Sequence, residues 1–87
     1  MAINSTATIQ VKIYAPFKTY FDGPASSVSA VNDTGPFDIL PRHKNFMSLL
    51  KPGEIRVRIA GKDDFVTPVN QAVMHVKSDK VTVFLDV

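Results

Sequence analysis

Glu54-Ile55-Arg56-Val57-Arg58-Ile59 is the stretch that decides the fold. Ile55, Val57 and Ile59 alternate with Glu54, Arg56 and Arg58, so apolar and charged side chains leave the backbone on opposite sides. A period of two belongs to a strand with one face buried and the other in water. The same period runs through Ile9, Val11 and Ile13, set against Gln10, Lys12 and Tyr14. It recurs in Val81, Val83 and Leu85, set against Thr82, Phe84 and Asp86.

Turn chemistry separates these runs. Gly61-Lys62-Asp63-Asp64 follows the deciding strand, so Phe65 to Thr67 is expected to return antiparallel as a hairpin. Ala72 to Lys77 and Lys80 to Leu85 form a second hairpin around Ser78-Asp79. Towards the N-terminus, Ala15-Pro16 ends the first strand, because proline cannot donate to a ladder. Phe17 to Asp22 reads as a second strand closed by Gly23-Pro24, and Ser26 to Val31 as a weaker third. The only helical candidate, Lys44 to Leu50, is short and hemmed in by Pro41 and Pro52. The pattern predicts an all-β chain, a small antiparallel β-sandwich or flattened barrel of about eight to ten short strands.

Between the third strand and Glu54 lies a passage dense in proline and glycine, from Asn32 to Gly53. It holds Gly35-Pro36, Ile39-Leu40-Pro41, His43 and Leu50-Lys51-Pro52-Gly53. Proline fixes φ and glycine opens backbone angles closed to other residues, so the passage is expected to hold one loop in one place. It offers no row of nucleophiles or metal ligands, which marks it as a surface and not a catalyst.

At 87 residues, with 45% apolar content, the chain is expected to be one domain spanning residues 1–87, its first seven residues flexible. The N-terminus lacks the basic and apolar regions of a signal peptide, and no apolar run approaches the ~20 residues of a membrane helix. A soluble chain without membrane insertion is the expectation. A net charge of +2, scattered along the chain, gives no electrostatic case for nucleic acid. With Cys 0 there can be no disulfide or thiolate metal site.

Chemistry-bearing residues are few. His43 and His75 share no ligand-like spacing, so no metal site is expected; His43 reads as a residue that fixes the loop or contacts a partner, and His75 as solvent-facing. Asp63-Asp64 suits a turn better than a paired acid. Arg56 and Arg58 line one face with Lys12 as a possible neighbour, most simply a solvated polar face. An oligonucleotide-binding barrel would need aromatics interleaved with basic residues on one strand face, but Tyr14, Phe65 and Phe84 fall on separate strands. Phe37, Phe46, Met47 and Phe84 leave two readings open, a rigid contact surface or the filling of the open end of a sandwich.

The order of these pieces is distinctive. Ile13-Tyr14-Ala15-Pro16 closes the first strand, and Phe21-Asp22-Gly23 leads to Ser27-Val28. Gly35-Pro36-Phe37-Asp38-Ile39-Leu40-Pro41-Arg42-His43 follows, then Leu50-Lys51-Pro52-Gly53, Ile55-Arg56-Val57-Arg58 and Asp79-Lys80-Val81-Thr82-Val83. Together they resemble the N-terminal β-sandwich domain of the epsilon subunit of F-type ATP synthases, called delta in mitochondria. The resemblance runs from about Ile9 to Asp86. Three positions depart from the family pattern. Asp38 replaces a glycine that would suit a positive φ, Asn45 replaces a proline, and Gln71-Ala72 replaces a glycine pair.

The resemblance implies a non-catalytic rotor subunit of the central stalk, without cofactor, linking the gamma subunit to the ring of c subunits. It implies a contact surface for gamma and the c-ring built from Asn32, Asp33, Gly35, Pro36, Phe37, Asp38, Pro41, Arg42, His43, Phe46 and Met47. The implied location is peripheral, on the cytoplasmic face of the inner or plasma membrane within the complex. Family members usually continue into two helices that restrain rotation and in some members bind ATP; here Val87 falls where they would begin, so neither property is expected of this polypeptide. The alternative is a stand-alone binding module for a peptide or nucleic acid on the same scaffold.

Overall fold

The computed structural model describes residues 8–85, so the expected flexibility of residues 1–7 and the face assigned to Asp86 lie outside the described residues. Nine strands follow in order: β1 Ile9–Ala15, β2 Lys18–Ala25, β3 Ser27–Asn32, β4 Gly35–Ile39, β5 Phe46–Leu50, β6 Gly53–Arg58, β7 Phe65–Val69, β8 Ala72–Lys77 and β9 Lys80–Leu85. They form a five-stranded sheet, β2-β1-β9-β8-β5, and a four-stranded sheet, β4-β3-β6-β7. The sheets remain separate, which selects the sandwich over the flattened barrel among the described residues.

The alternation dictates what the sheets enclose. Ile9, Val11 and Ile13 of β1, Ile55 and Val57 of β6, and Val81, Val83 and Leu85 of β9 are all buried. Val28 and Ala30 of β3, Ile39 of β4, Leu50 of β5, and Met74 and Val76 of β8 complete the same core. Burying such side chains from both inner faces is the main stabilising term, about 1.5–3 kcal/mol for each large one. The predicted hairpins stand: β6 pairs antiparallel with β7, and β8 with β9 through Ser78-Asp79. One pairing departs from the antiparallel expectation, because β1 runs parallel to β9. The last strand thus docks between the first and the eighth, a connection that local periodicity does not reveal.

Three boundaries differ from the sequence reading. β2 begins at Lys18 and runs through Gly23-Pro24 to Ala25, and β7 continues past Pro68 to Val69. Both are edge strands, where a missing N–H can face outward without breaking a ladder. The third difference is larger. The passage from Asn32 to Gly53 is not one loop, since it contains β4 and β5. The helical candidate is itself β5, with Leu50 buried and Met47 and Leu49 exposed. Seven residues between prolines make too few turns to offset helix nucleation, whereas pairing with β8 satisfies the backbone at once.

Proline placement follows the same logic. Pro24, Pro36 and Pro68 lie in the edge strands β2, β4 and β7, and among the described residues no interior strand contains proline.

Candidate functional site

The candidate contact residues divide between two ends of the sandwich and the strand joining them. Asn32, Asp33, Gly35 and Pro36 lie at the β3–β4 turn, Phe37 and Asp38 on β4, and Pro41, Arg42 and His43 on the crossing from β4 to β5. β4 is five residues long, so about 14 Å of extended chain separates the two ends. Sequence contiguity therefore overstated their closeness.

The β3–β4 turn is fixed from within. The Asn32 Oδ1 atom accepts from the Thr34 N–H at 2.9 Å and from the Thr34 hydroxyl at 2.7 Å, the turn chemistry that Asn favours. Its Nδ2 donates to Ser48 Oγ of β5 at 3.1 Å, and the Lys51 N–H donates to the Val31 carbonyl at 2.9 Å. These two bonds tie the sheets together at this end. Gly35 has φ +115°, an angle that only glycine adopts without strain. Asp33 and Lys51 pair at 3.2 Å while both remain largely in solvent, so the pair contributes little stability. Asp33 and Pro36 are exposed.

At the opposite end the crossing is held by the β8–β9 turn. Arg42 has φ 68° and its N–H donates to Asp79 Oδ1 at 2.6 Å. Ser78 and Asp79 also have positive φ, and the Asp79 carbonyl accepts from the Gln10 N–H at 2.8 Å. The positive φ expected at Asp38 lies instead at Arg42. Asp38 sits in an extended strand, where its carboxylate accepts from the Ser29 hydroxyl. Asn45, where the family pattern has proline, accepts from the Ser78 N–H through Oδ1 at 3.3 Å, a bond proline could not make.

His43 bonds to its own neighbour and packs on an aromatic ring. Its Nδ1 lies 2.7 Å from the Lys44 carbonyl oxygen, so that nitrogen donates. Its ring meets Phe46 edge-on at 5.6 Å, and Phe46 meets Phe37 at the same centroid distance. Phe37 and Phe46 are half-buried against the core. Of the two open readings, filling the end of the sandwich describes these two aromatics. Met47 projects outward with 66% of its surface exposed.

The outer faces differ in character. On the four-stranded sheet, Arg58 donates to Ser29 Oγ at 2.6 Å and Arg56 pairs with Asp64 at 3.1 Å. These cations are engaged by β3 and by the β6–β7 connection, and Lys12 lies on the other sheet, so the three do not form one basic face. On the five-stranded sheet, strand register sets Leu49, Val73, Phe84 and Tyr14 in one row. Phe84 and Tyr14 are 5.1 Å apart, and Leu49 is 64% exposed. Sequence reading missed this row because it crosses four strands; the alternation of Phe46, Ser48 and Leu50 with Met47 and Leu49 was the available signal. Met47 joins its margin opposite His75, which is exposed as expected. Among the described residues no group of His, Asp and Glu could hold a metal ion.

The sequence profile of the ATP synthase delta/epsilon chain β-sandwich domain matches residues 8–87. This chain belongs to that family. The ATP synthase epsilon chain of Neisseria meningitidis serogroup C (FAM18) is 36% identical over 80 residues, covering 91% of this chain and 57% of that protein. The epsilon chain of Laribacter hongkongensis is 28% identical over 82 residues, covering 93% and 59%. The chain thus spans somewhat over half the length of the curated relatives it matches. In solved structures the fold recurs in a chain of the Euglena gracilis mitochondrial ATP synthase OSCP/F1/c-ring assembly, with TM-score 0.84, 17% identity, and coverage of 91% of this chain and 51% of that one. It recurs in the central stalk/c-ring of the Tetrahymena thermophila mitochondrial ATP synthase, with TM-score 0.72, 20% identity, and coverage of 87% and 61%. The family's description as a β-sandwich domain agrees with the two sheets found here. No helix among the described residues is long and apolar enough to cross a membrane.

Proposed function

We propose that this chain is a non-catalytic rotor element of a proton-translocating ATP synthase, linking the gamma subunit to the c-ring. Family membership supports the reading, as does the occurrence of the same fold in a central stalk/c-ring assembly. The observation that carries the mechanical part is the division of the contact residues into two ends, each fixed by hydrogen bonds between distant segments. A coupling element needs two surfaces and a stiff body between them.

In this reading the β3–β4 turn, with Asp33 and Pro36 exposed, addresses the polar loops of the c-ring. The opposite end and the outer row of the five-stranded sheet address gamma, with Met47 and Leu49 as apolar anchors. Because the turns are fixed before docking, less conformational entropy is lost on association. The complex holds the domain beside a membrane without inserting it. The polar face does not favour a nucleic-acid module, since Arg56 is paired with Asp64 and Arg58 bonds to Ser29.

Calorimetric titration of the 87-residue chain with its cognate gamma subunit, alone and on the c-ring, tests the proposal. One chain bound per gamma is expected. Heat of dilution alone at up to about 100 μM of both would overturn it.

A further inference from the structure

The outer face of the five-stranded sheet carries a cluster of cations without ion-pair partners among the described residues. Register sets Lys80 of β9 between Gln10 of β1 and Lys77 of β8, and Thr82 between Lys12 and His75. All six alternate with buried residues, and Lys12, His75, Lys77 and Lys80 are exposed. Strand geometry puts neighbouring positions of this lattice about 5–7 Å apart. The ion pairs that do form are Lys51–Asp33, Arg56–Glu54 and Arg56–Asp64, all away from this face. Asp22 is in register with Lys12 without pairing to it, and the Asp79 carboxylate already accepts from the Arg42 N–H.

Lys77 and Lys80 make the arrangement costly. They stand directly opposite each other across the β8–β9 ladder, where like charges destabilise a sheet. The other neighbour of Lys80 is Gln10, which carries no charge to offset theirs. An anion seated over the pair turns that repulsion into attraction.

The cluster also borders apolar surface. The Lys12 Nζ atom lies 5.1 Å from the centre of the Tyr14 ring, and Tyr14 begins the row that runs through Phe84 and Val73 to Leu49. Met47 stands beside His75. An occupant must therefore bring apolar groups and negative charge to adjacent positions. A polypeptide does so, whereas a free phosphate or polyphosphate brings no apolar group.

We propose that Lys12, Lys77 and Lys80 form a docking patch for a carboxylate-rich stretch of a protein partner, whose apolar side chains lie on the row from Tyr14 to Leu49. For the partner's identity the inference rests on the rotor reading. The patch lies between the crossing end and the apolar row, both given there to gamma, so the acidic stretch belongs to gamma. The charges steer association and fix the register of docking, while the row supplies contact area.

Calorimetry of the chain with its cognate gamma subunit tests the patch. Lys80→Glu is expected to weaken binding roughly tenfold. The same change places a carboxylate opposite Lys77, so it is expected to raise the melting temperature by roughly 1–4 °C. Weaker binding by a more stable chain cannot arise from misfolding. Lys62→Glu, an equal change of charge in the exposed β6–β7 connection, is expected to leave affinity within about twofold. For the unaltered chain, raising NaCl from about 50 to about 500 mM is expected to weaken binding several-fold. Binding that neither salt nor Lys80→Glu weakens would overturn this inference and leave the rotor reading standing. Equal weakening by Lys62→Glu would also overturn it, since net charge alone would then act. No binding of the unaltered chain to gamma would overturn both. Vesicles of phosphatidylglycerol and phosphatidylcholine that retain the unaltered chain but not Lys80→Glu would give the patch to a bilayer, and overturn it as well.

Discussion

Arg42 and Asp79, 37 residues apart, close one end of the sandwich together: the Arg42 N–H donates to Asp79 Oδ1 at 2.6 Å, and both residues have positive φ. The bond joins the crossing between the sheets to the β8–β9 hairpin. Asp79→Ala removes the acceptor and is expected to destabilise the fold by about 1–2 kcal/mol, while Asp79→Asn keeps an acceptor and loses less than half of that. Arg42→Gly relieves a left-handed conformation but loosens the unfolded chain, so it should fall within about 1 kcal/mol of the natural chain. Urea denaturation of the three variants measures all three values. Asp79→Ala behaving like the natural chain would show that the bond does not hold this end.

Gly35 supplies the test at the other end. Its φ of +115° lies where a side chain strains the backbone, although a Cβ there would meet no atom within 4 Å. Gly35→Ala is therefore expected to cost about 1–3 kcal/mol through backbone conformation alone. Equal thermal stability of the variant would mean that the turn relaxes freely.

Much of the fold was legible because alternation is local. β1, β6, β8 and β9 could be read from residue types alone, since each buries every second side chain. β4 and β5 could not. Pro36, Pro41 and Pro52 are loop formers in most settings, and only pairing of Pro36 with Val31, and of Leu49 with Val73, makes strands of their surroundings. The parallel pairing of β1 with β9 is likewise non-local. For the candidate site, the residues were legible and their arrangement was not. Asp38 and Arg42 show why: the backbone position needing a positive φ depends on where the strand ends, and β4 ends at Ile39.

Phe46 joins Phe37 and His43 in one aromatic cluster and packs against the core. Phe46→Ala is expected to destabilise by about 2–4 kcal/mol, in the lower part of the range for large-to-small core changes because the ring is only half-buried. Met47→Ala, one residue on, should change stability by less than about 0.5 kcal/mol, since Met47 is exposed. Thermal unfolding of the pair separates a packing residue from a docking residue. Equal losses would assign Met47 to the core.

The absence of cysteine makes the most direct measurement of the two-ended rotor account possible. Single cysteines placed by Asp33→Cys and by Met47→Cys report the β3–β4 turn and the outer face of β5, the two surfaces assigned to different neighbours, free of background from the chain itself. In the assembled synthase, a short thiol-reactive photocrosslinker at position 33 is predicted to join the c-ring, and one at position 47 to join gamma. The same neighbour captured from both positions, or no rotor chain captured from either, would contradict the account.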